Sequence, residues 1–123
     1  MTLEGPLGAG KTTLVKGITR GLEVKDEKEV VSPTFVLIHE YEGREKIYHI
    51  DWYRLSKVGG QDELLAQECF DSHGITLVEW AERGKNILPE EHLRISMKYK
   101  TEERRIIEIS AQGSRLQNLI NAL

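Results

Sequence analysis

The 123-residue sequence has one cysteine, Cys69, so an intrachain disulfide framework is excluded. His73 lies four positions away, but two potential ligands do not make a metal site, and a packed thiol is the expected role of Cys69. No apolar run approaches the roughly 20 residues needed to cross a bilayer. The opening residues have neither the charged nor the apolar region of a secretion signal, so a cytoplasmic location without membrane contact is expected. A basic excess is missing too. Seventeen Lys and Arg face twenty Asp and Glu, which argues against a large phosphate-neutralising surface for direct nucleic-acid binding. There is no Pro/Gly-rich linker, internal repeat or low-complexity tract. With 39% hydrophobic and 30% charged residues, the chain reads as a single globular domain over 1–123.

The pattern along the chain predicts an α/β domain with a mixed sheet. Residues 1–4 read as the tail of a strand that enters a glycine-rich turn, and a helix follows over 11–22 with Leu14, Ile18 and Leu22 as its buried stripe. Residues 34–41 and 46–51 form an antiparallel hairpin across Glu42-Gly43-Arg44-Glu45. A helix is expected over 61–70, and the apolar run Ile75 to Glu79 suits a buried parallel strand. A short helix over 81–88 stops at Pro89. Strands over 92–100 and 104–110 then pair antiparallel, the first carrying Leu93, Ile95, Met97 and Tyr99 on one face. An amphipathic helix with Leu116, Leu119, Ile120 and Leu123 closes the chain.

Residues 5–12, Gly5-Pro6-Leu7-Gly8-Ala9-Gly10-Lys11-Thr12, match G-x-x-x-x-G-K-[ST] in full, followed by Thr13. The chemistry needs these residue types. Glycines adopt positive φ and let backbone approach phosphate oxygens without a Cβ, and the amides at the start of a helix form an anion nest. Lys11 brings a cation to the β and γ oxygens, and the Thr12 hydroxyl suits Mg²⁺. A P-loop enzyme also needs a carboxylate at the end of an apolar strand. Two are available: Asp51, ending Ile47-Tyr48-His49-Ile50-Asp51, and Glu79, ending Ile75-Thr76-Leu77-Val78-Glu79. Asp51 is assigned to the metal, and Glu79 to polarising water or to an outer-shell metal contact, with the two roles open to exchange. Thr34, in Ser32-Pro33-Thr34-Phe35, is a candidate γ-phosphate sensor. His49 shares a strand face with Asp51 and either orients a carboxylate or packs. Arg54 and Arg83 are weaker candidates for steadying phosphoryl charge, and core packing is the ordinary role of Trp52 and Trp80.

Taken in order, the phosphate loop, Ser32-Pro33-Thr34-Phe35 with Glu40-Tyr41, His49-x-Asp51-x-Tyr53-Arg54-Leu55, and Val78-Glu79-Trp80 with Glu82-Arg83 resemble the TsaE (YjeE) family, over residues 5 to about 84. The resemblance implies an ATP- and Mg²⁺-dependent ATPase needed to make threonylcarbamoyladenosine in tRNA. Such a protein acts with TsaB and TsaD, and meets tRNA only through that complex. Its hydrolysis resets the transfer complex, and a separate enzyme, TsaC, makes the threonylcarbamoyl-adenylate. Carried over to this chain, residues 5–13 and Lys11 grip phosphates, and Thr12 ligates Mg²⁺. Asp51 and Glu79 form the acidic pair, Thr34 sits in a switch-like loop, and Trp80 lies beside the nucleotide. Pro6 stands where relatives often carry an acid, and the strand and helix that precede the phosphate loop in the family are missing from this chain. Two other readings remain. A small-molecule P-loop kinase would need an arginine-bearing lid, for which Arg104-Arg105 is the paired-arginine site, and a nucleotide-dependent docking module would turn over little. No Asn-Lys-x-Asp guanine motif is present, which favours ATP over GTP.

Overall fold

The computed structural model describes residues 1–6, 8–25 and 38–123. Leu7 and Thr34 therefore lie outside the described residues. Among those described, a six-stranded mixed sheet has the order β2-β3-β4-β1-β5-β6. The strands are β1 (Thr2–Glu4), β2 (Ile38–Glu42), β3 (Lys46–Asp51), β4 (Ile75–Glu79), β5 (His92–Tyr99) and β6 (Arg105–Gln112). The helices are α1 (Lys11–Gly21), α2 (Gly60–Phe70) and α3 (Ser114–Asn121), with a 3₁₀ segment over Ala81–Ile87. Strands β3, β4, β1 and β5 run parallel, and β2 and β6 add antiparallel edges.

The connections explain the layering. From β1 through α1 the chain moves outward to the β2–β3 hairpin, whereas from β3 through α2 it moves back inward to β4. Right-handed crossovers in opposite directions put their helices on opposite faces of a sheet. The packing agrees. Val15 of α1 is buried with Leu3, Ile47, Leu77, Ile95 and Met97, whereas Ala66 and Cys69 of α2 are buried with Ile50, Val78, Trp52, Ala81 and Ile87. Strands β3 and β4 thus alternate their side chains between two separate cores, Ile47 and Leu77 entering one and Ile50 and Val78 the other, which is why the adjacent Leu77 and Val78 are both apolar.

Several expectations shift in detail. In α1 the deepest line is Lys11, Val15 and Thr19, while Leu14, Ile18 and Leu22 are only partly buried beside it. Thr19 tolerates complete burial because its hydroxyl donates to the Lys16 carbonyl at 2.9 Å. The first hairpin strand is described from Ile38, and residues 34–37 of the expected strand lie outside the described residues. The expected short helix is a 3₁₀ segment with non-helical backbone at Gly84. Tyr99, on the same strand face as the buried Ile95 and Met97, is 46% exposed, and α3 has no buried residue despite its amphipathic pattern.

Candidate functional site

Strands β1, β3 and β4 all point their C-terminal ends to one edge of the sheet, the edge where open α/β folds bind ligands. From β1 the chain enters the glycine-rich loop and then α1, whose N-cap Gly10 takes the left-handed region at φ 107°. No acidic residue occupies the first turn of α1, so the positive end of its dipole is not neutralised by its own side chains. Gly5 and Gly8 are demanded by their surroundings as well as by φ values of +145° and +77°. A Cβ on Gly5 would lie 2.4 Å from the Met97 carbonyl oxygen, and one on Gly8 would lie 2.8 Å from the Tyr99 hydroxyl. The loop is fitted against β5.

Lys11 is 6% exposed. Its Nζ donates to the Gly5 carbonyl at 2.7 Å and stands 4.3 Å from the centre of the Trp80 ring. Trp80 sits in the left-handed region at φ 59°, immediately after β4, and its ring lies 5.0 Å from that of Tyr53. That conformation is uncommon for a bulky residue. It turns the chain out of the strand with the indole over the lysine. Trp52 behaves differently: it is 2% exposed and belongs to the core on the α2 face.

Asp51 and Glu79 are register partners at the ends of adjacent parallel strands, and Leu3 is in register with Glu79 on the other side. By alternation, His49, Asp51 and Glu79 share the face of Ile47 and Leu77, which is the face covered by α1. Both carboxylates are buried. Asp51 accepts from the Tyr53 amide at 2.8 Å, an Asx-type turn that holds the strand end. The His49 Nε2–H donates to Glu79 Oε2 at 2.6 Å, so this histidine serves the carboxylate of the next strand, not the Asp51 of its own. Its Nδ1 is buried without a partner among the described residues.

The arginines separate. Arg83 Nη1 donates to the Leu55 carbonyl at 2.6 Å and its guanidinium lies 5.6 Å from the Trp80 ring. Arg105 Nε donates to the Ala9 carbonyl at 3.2 Å, while its Nη1 holds three carbonyls of the β5–β6 turn. A guanidinium committed to the loop backbone does not suit the kinase lid weighed above. Tyr99 and Arg105 are contacts the motif reading missed. They lie 91 and 96 residues from their partners, and no local pattern announces them. Among the described residues no three His, Cys, Asp or Glu converge as a metal cage. No described helix is long and apolar enough to cross a membrane. Beside Gly5, Pro6 and Trp80, a cleft of about 800 Å³ opens that also touches Thr2, Glu4 and Arg94.

Comparison with known proteins places this geometry. The family model described as "Threonylcarbamoyl adenosine biosynthesis protein TsaE" matches residues 1–107. The tRNA threonylcarbamoyladenosine biosynthesis protein TsaE of Bacillus subtilis is 41% identical over 124 positions, covering 100% of this chain and 76% of the relative. Its counterpart in Treponema pallidum is 39% identical over 110 positions, covering 89% and 80%. The crystal structure of Bacillus subtilis YdiB superposes with a TM-score of 0.74 at 38% identity, covering 98% of this chain and 73% of that one. The likeness therefore extends to the fold as well as the sequence, and the chain belongs to the TsaE family, with a P-loop NTPase-like fold.

Proposed function

We propose that this chain is a Mg²⁺-dependent ATPase that supports threonylcarbamoyladenosine modification of tRNA, hydrolysing ATP to reset a transfer complex built from TsaB- and TsaD-like proteins. One observation carries the reading: a glycine-shaped loop at the start of α1, a buried Lys11 and the register pair Asp51–Glu79 stand at the same edge of the sheet. Amides at the start of α1, with no acidic side chain in its first turn, and the Lys11 ammonium favour a triphosphate there.

The donor set fits Mg²⁺. That ion is usually held by one or two protein groups together with phosphate and water, so the lack of a three-residue cage among the described residues is consistent with Thr12 and Asp51 as its protein contacts. When bound, Mg²⁺ would neutralise charge developing on the phosphate oxygens. Glu79 is the group to orient and polarise the attacking water, its carboxylate fixed by His49, and Lys11 offsets charge on the transferred phosphoryl.

The test is ATP turnover measured alone and with the TsaB- and TsaD-like proteins. Turnover is expected to rise in the complex. Lys11→Ala is expected to abolish ATP binding in calorimetry, and Glu79→Ala to keep binding while hydrolysis falls by about 10²-fold or more. Equal ATP affinity in the wild type and Lys11→Ala would overturn the reading.

A further inference from the structure

Tyr99 and Arg105 face each other across the β5–β6 register, at the hairpin end nearest the phosphate loop. The Tyr99 hydroxyl donates to the Gly8 carbonyl, and Arg105 Nε donates to the Ala9 carbonyl at 3.2 Å. The Arg105 guanidinium stacks 3.9 Å from the Tyr99 ring centre, and its Nη1 accepts no freedom of its own, being bonded to the carbonyls of Thr101, Glu102 and Arg104. Two consecutive loop peptides are therefore tied to a rigid hairpin.

In a trans peptide the C=O and the following N–H point in opposite directions. Fixing the Gly8 carbonyl fixes the Ala9 N–H, which donates to the Pro6 carbonyl at 3.1 Å and closes the turn. Fixing the Ala9 carbonyl turns the Gly10 N–H away from Arg105. Glycine-rich backbone has many alternatives to such an arrangement. Resting on the nucleotide reading above, we infer that Tyr99 and Arg105 are positioning residues that pre-organise the phosphate loop, holding the Gly8 and Ala9 carbonyls outward so that the turn stays closed and the Gly10 amide is left to face a polyphosphate. Neither touches the reacting atoms. A preorganised donor ring binds more tightly because no ordering is left to be done on binding.

The experiment measures tripolyphosphate and ATP affinity by calorimetry, amide exchange over Gly5–Lys11, and steady-state ATP kinetics. Tyr99→Phe removes one oxygen and keeps the ring. It and Arg105→Ala are each expected to weaken tripolyphosphate binding by about five- to ten-fold, the scale of one net hydrogen bond. The double variant should fall short of the product of the two, because both act on one loop. Amide exchange over the loop should quicken, and KM for ATP should rise with kcat nearly unchanged. Arg105→Lys, which keeps the charge but not the planar stacked donor, should behave like Arg105→Ala. Lys98→Ala, on the same hairpin with its side chain paired to Glu108, should bind as the wild type does. Unchanged tripolyphosphate affinity in the double variant, or an equal loss in Lys98→Ala, would overturn the inference while leaving the nucleotide reading intact. A wild type that binds tripolyphosphate no better than Lys11→Ala would overturn both.

Discussion

The His49–Glu79 contact joins a structural bond to the carboxylate proposed above to act on water. Both groups are buried, and the His49 Nε2–H meets Glu79 Oε2 at 2.6 Å. Removing one partner of a buried polar pair leaves the other without compensation, a cost of about 3–5 kcal/mol when charge is involved. His49→Ala is therefore expected to lower stability by about 3 kcal/mol in urea denaturation. Glu79→Gln separates the two roles: an amide oxygen still accepts from Nε2, so stability should stay within about 1 kcal/mol of the wild type while hydrolysis is lost. Cys69 offers a further check. Burial pushes its thiol above the ordinary value, with Glu40 and Glu68 adding to the rise. The thiolate is the reactive form, so iodoacetamide at pH 8 should label the native protein far more slowly than the urea-unfolded chain.

Among the elements, the segment after β4 is closely fitted to the core on the α2 face. Trp80 turns out of the strand, and the 3₁₀ segment then folds against the α2-face core with a break at Gly84. A Cβ at Gly84 would lie 2.8 Å from Trp52 Cζ3 and 2.9 Å from Val58 Cγ2. Both atoms belong to buried side chains with little room to withdraw. Gly84→Ala should cost about 1–3 kcal/mol by overpacking, read as a lower urea midpoint at unchanged slope. This cost has no counterpart in helix propensity, which would favour alanine.

For the whole molecule, one sheet separates two cores, and adjacent residues of β4 belong to different ones. Leu77 packs on the α1 face and Val78 on the α2 face, both with zero exposure. Because they share a strand, truncating either should lower one common unfolding transition, Leu77→Ala by about 2–5 kcal/mol and Val78→Ala by somewhat less. Leu123, at 88% exposure, should tolerate Leu123→Lys within about 0.5 kcal/mol. Coincident transitions by fluorescence and circular dichroism would check the shared cooperativity.

How far these features were legible follows from sequence distance. The phosphate loop is read directly because its chemistry is contiguous, each glycine and the lysine standing in order over 5–12. The hairpin, the parallel strand ending at Glu79 and its break before the 3₁₀ segment were visible in alternation and apolar runs. The exposure of Ile107 and Ile109 on β6 was not, since a period-two pattern says which residues share a face but not whether anything covers it. Likewise, hydrophobicity marked Leu14, Ile18 and Leu22, whereas the deepest line of α1 starts from Lys11 because the helix is aimed by its loop. By itself, then, the chain's sequence determined most of the elements, the glycine-rich loop at the start of α1 and the two acidic strand ends, all of which depend on local backbone and spacing. Only the tertiary structure decided that Glu79 is held by His49 and the loop by Tyr99 and Arg105, because those bonds join residues 30, 91 and 96 positions apart whose meeting depends on strand order.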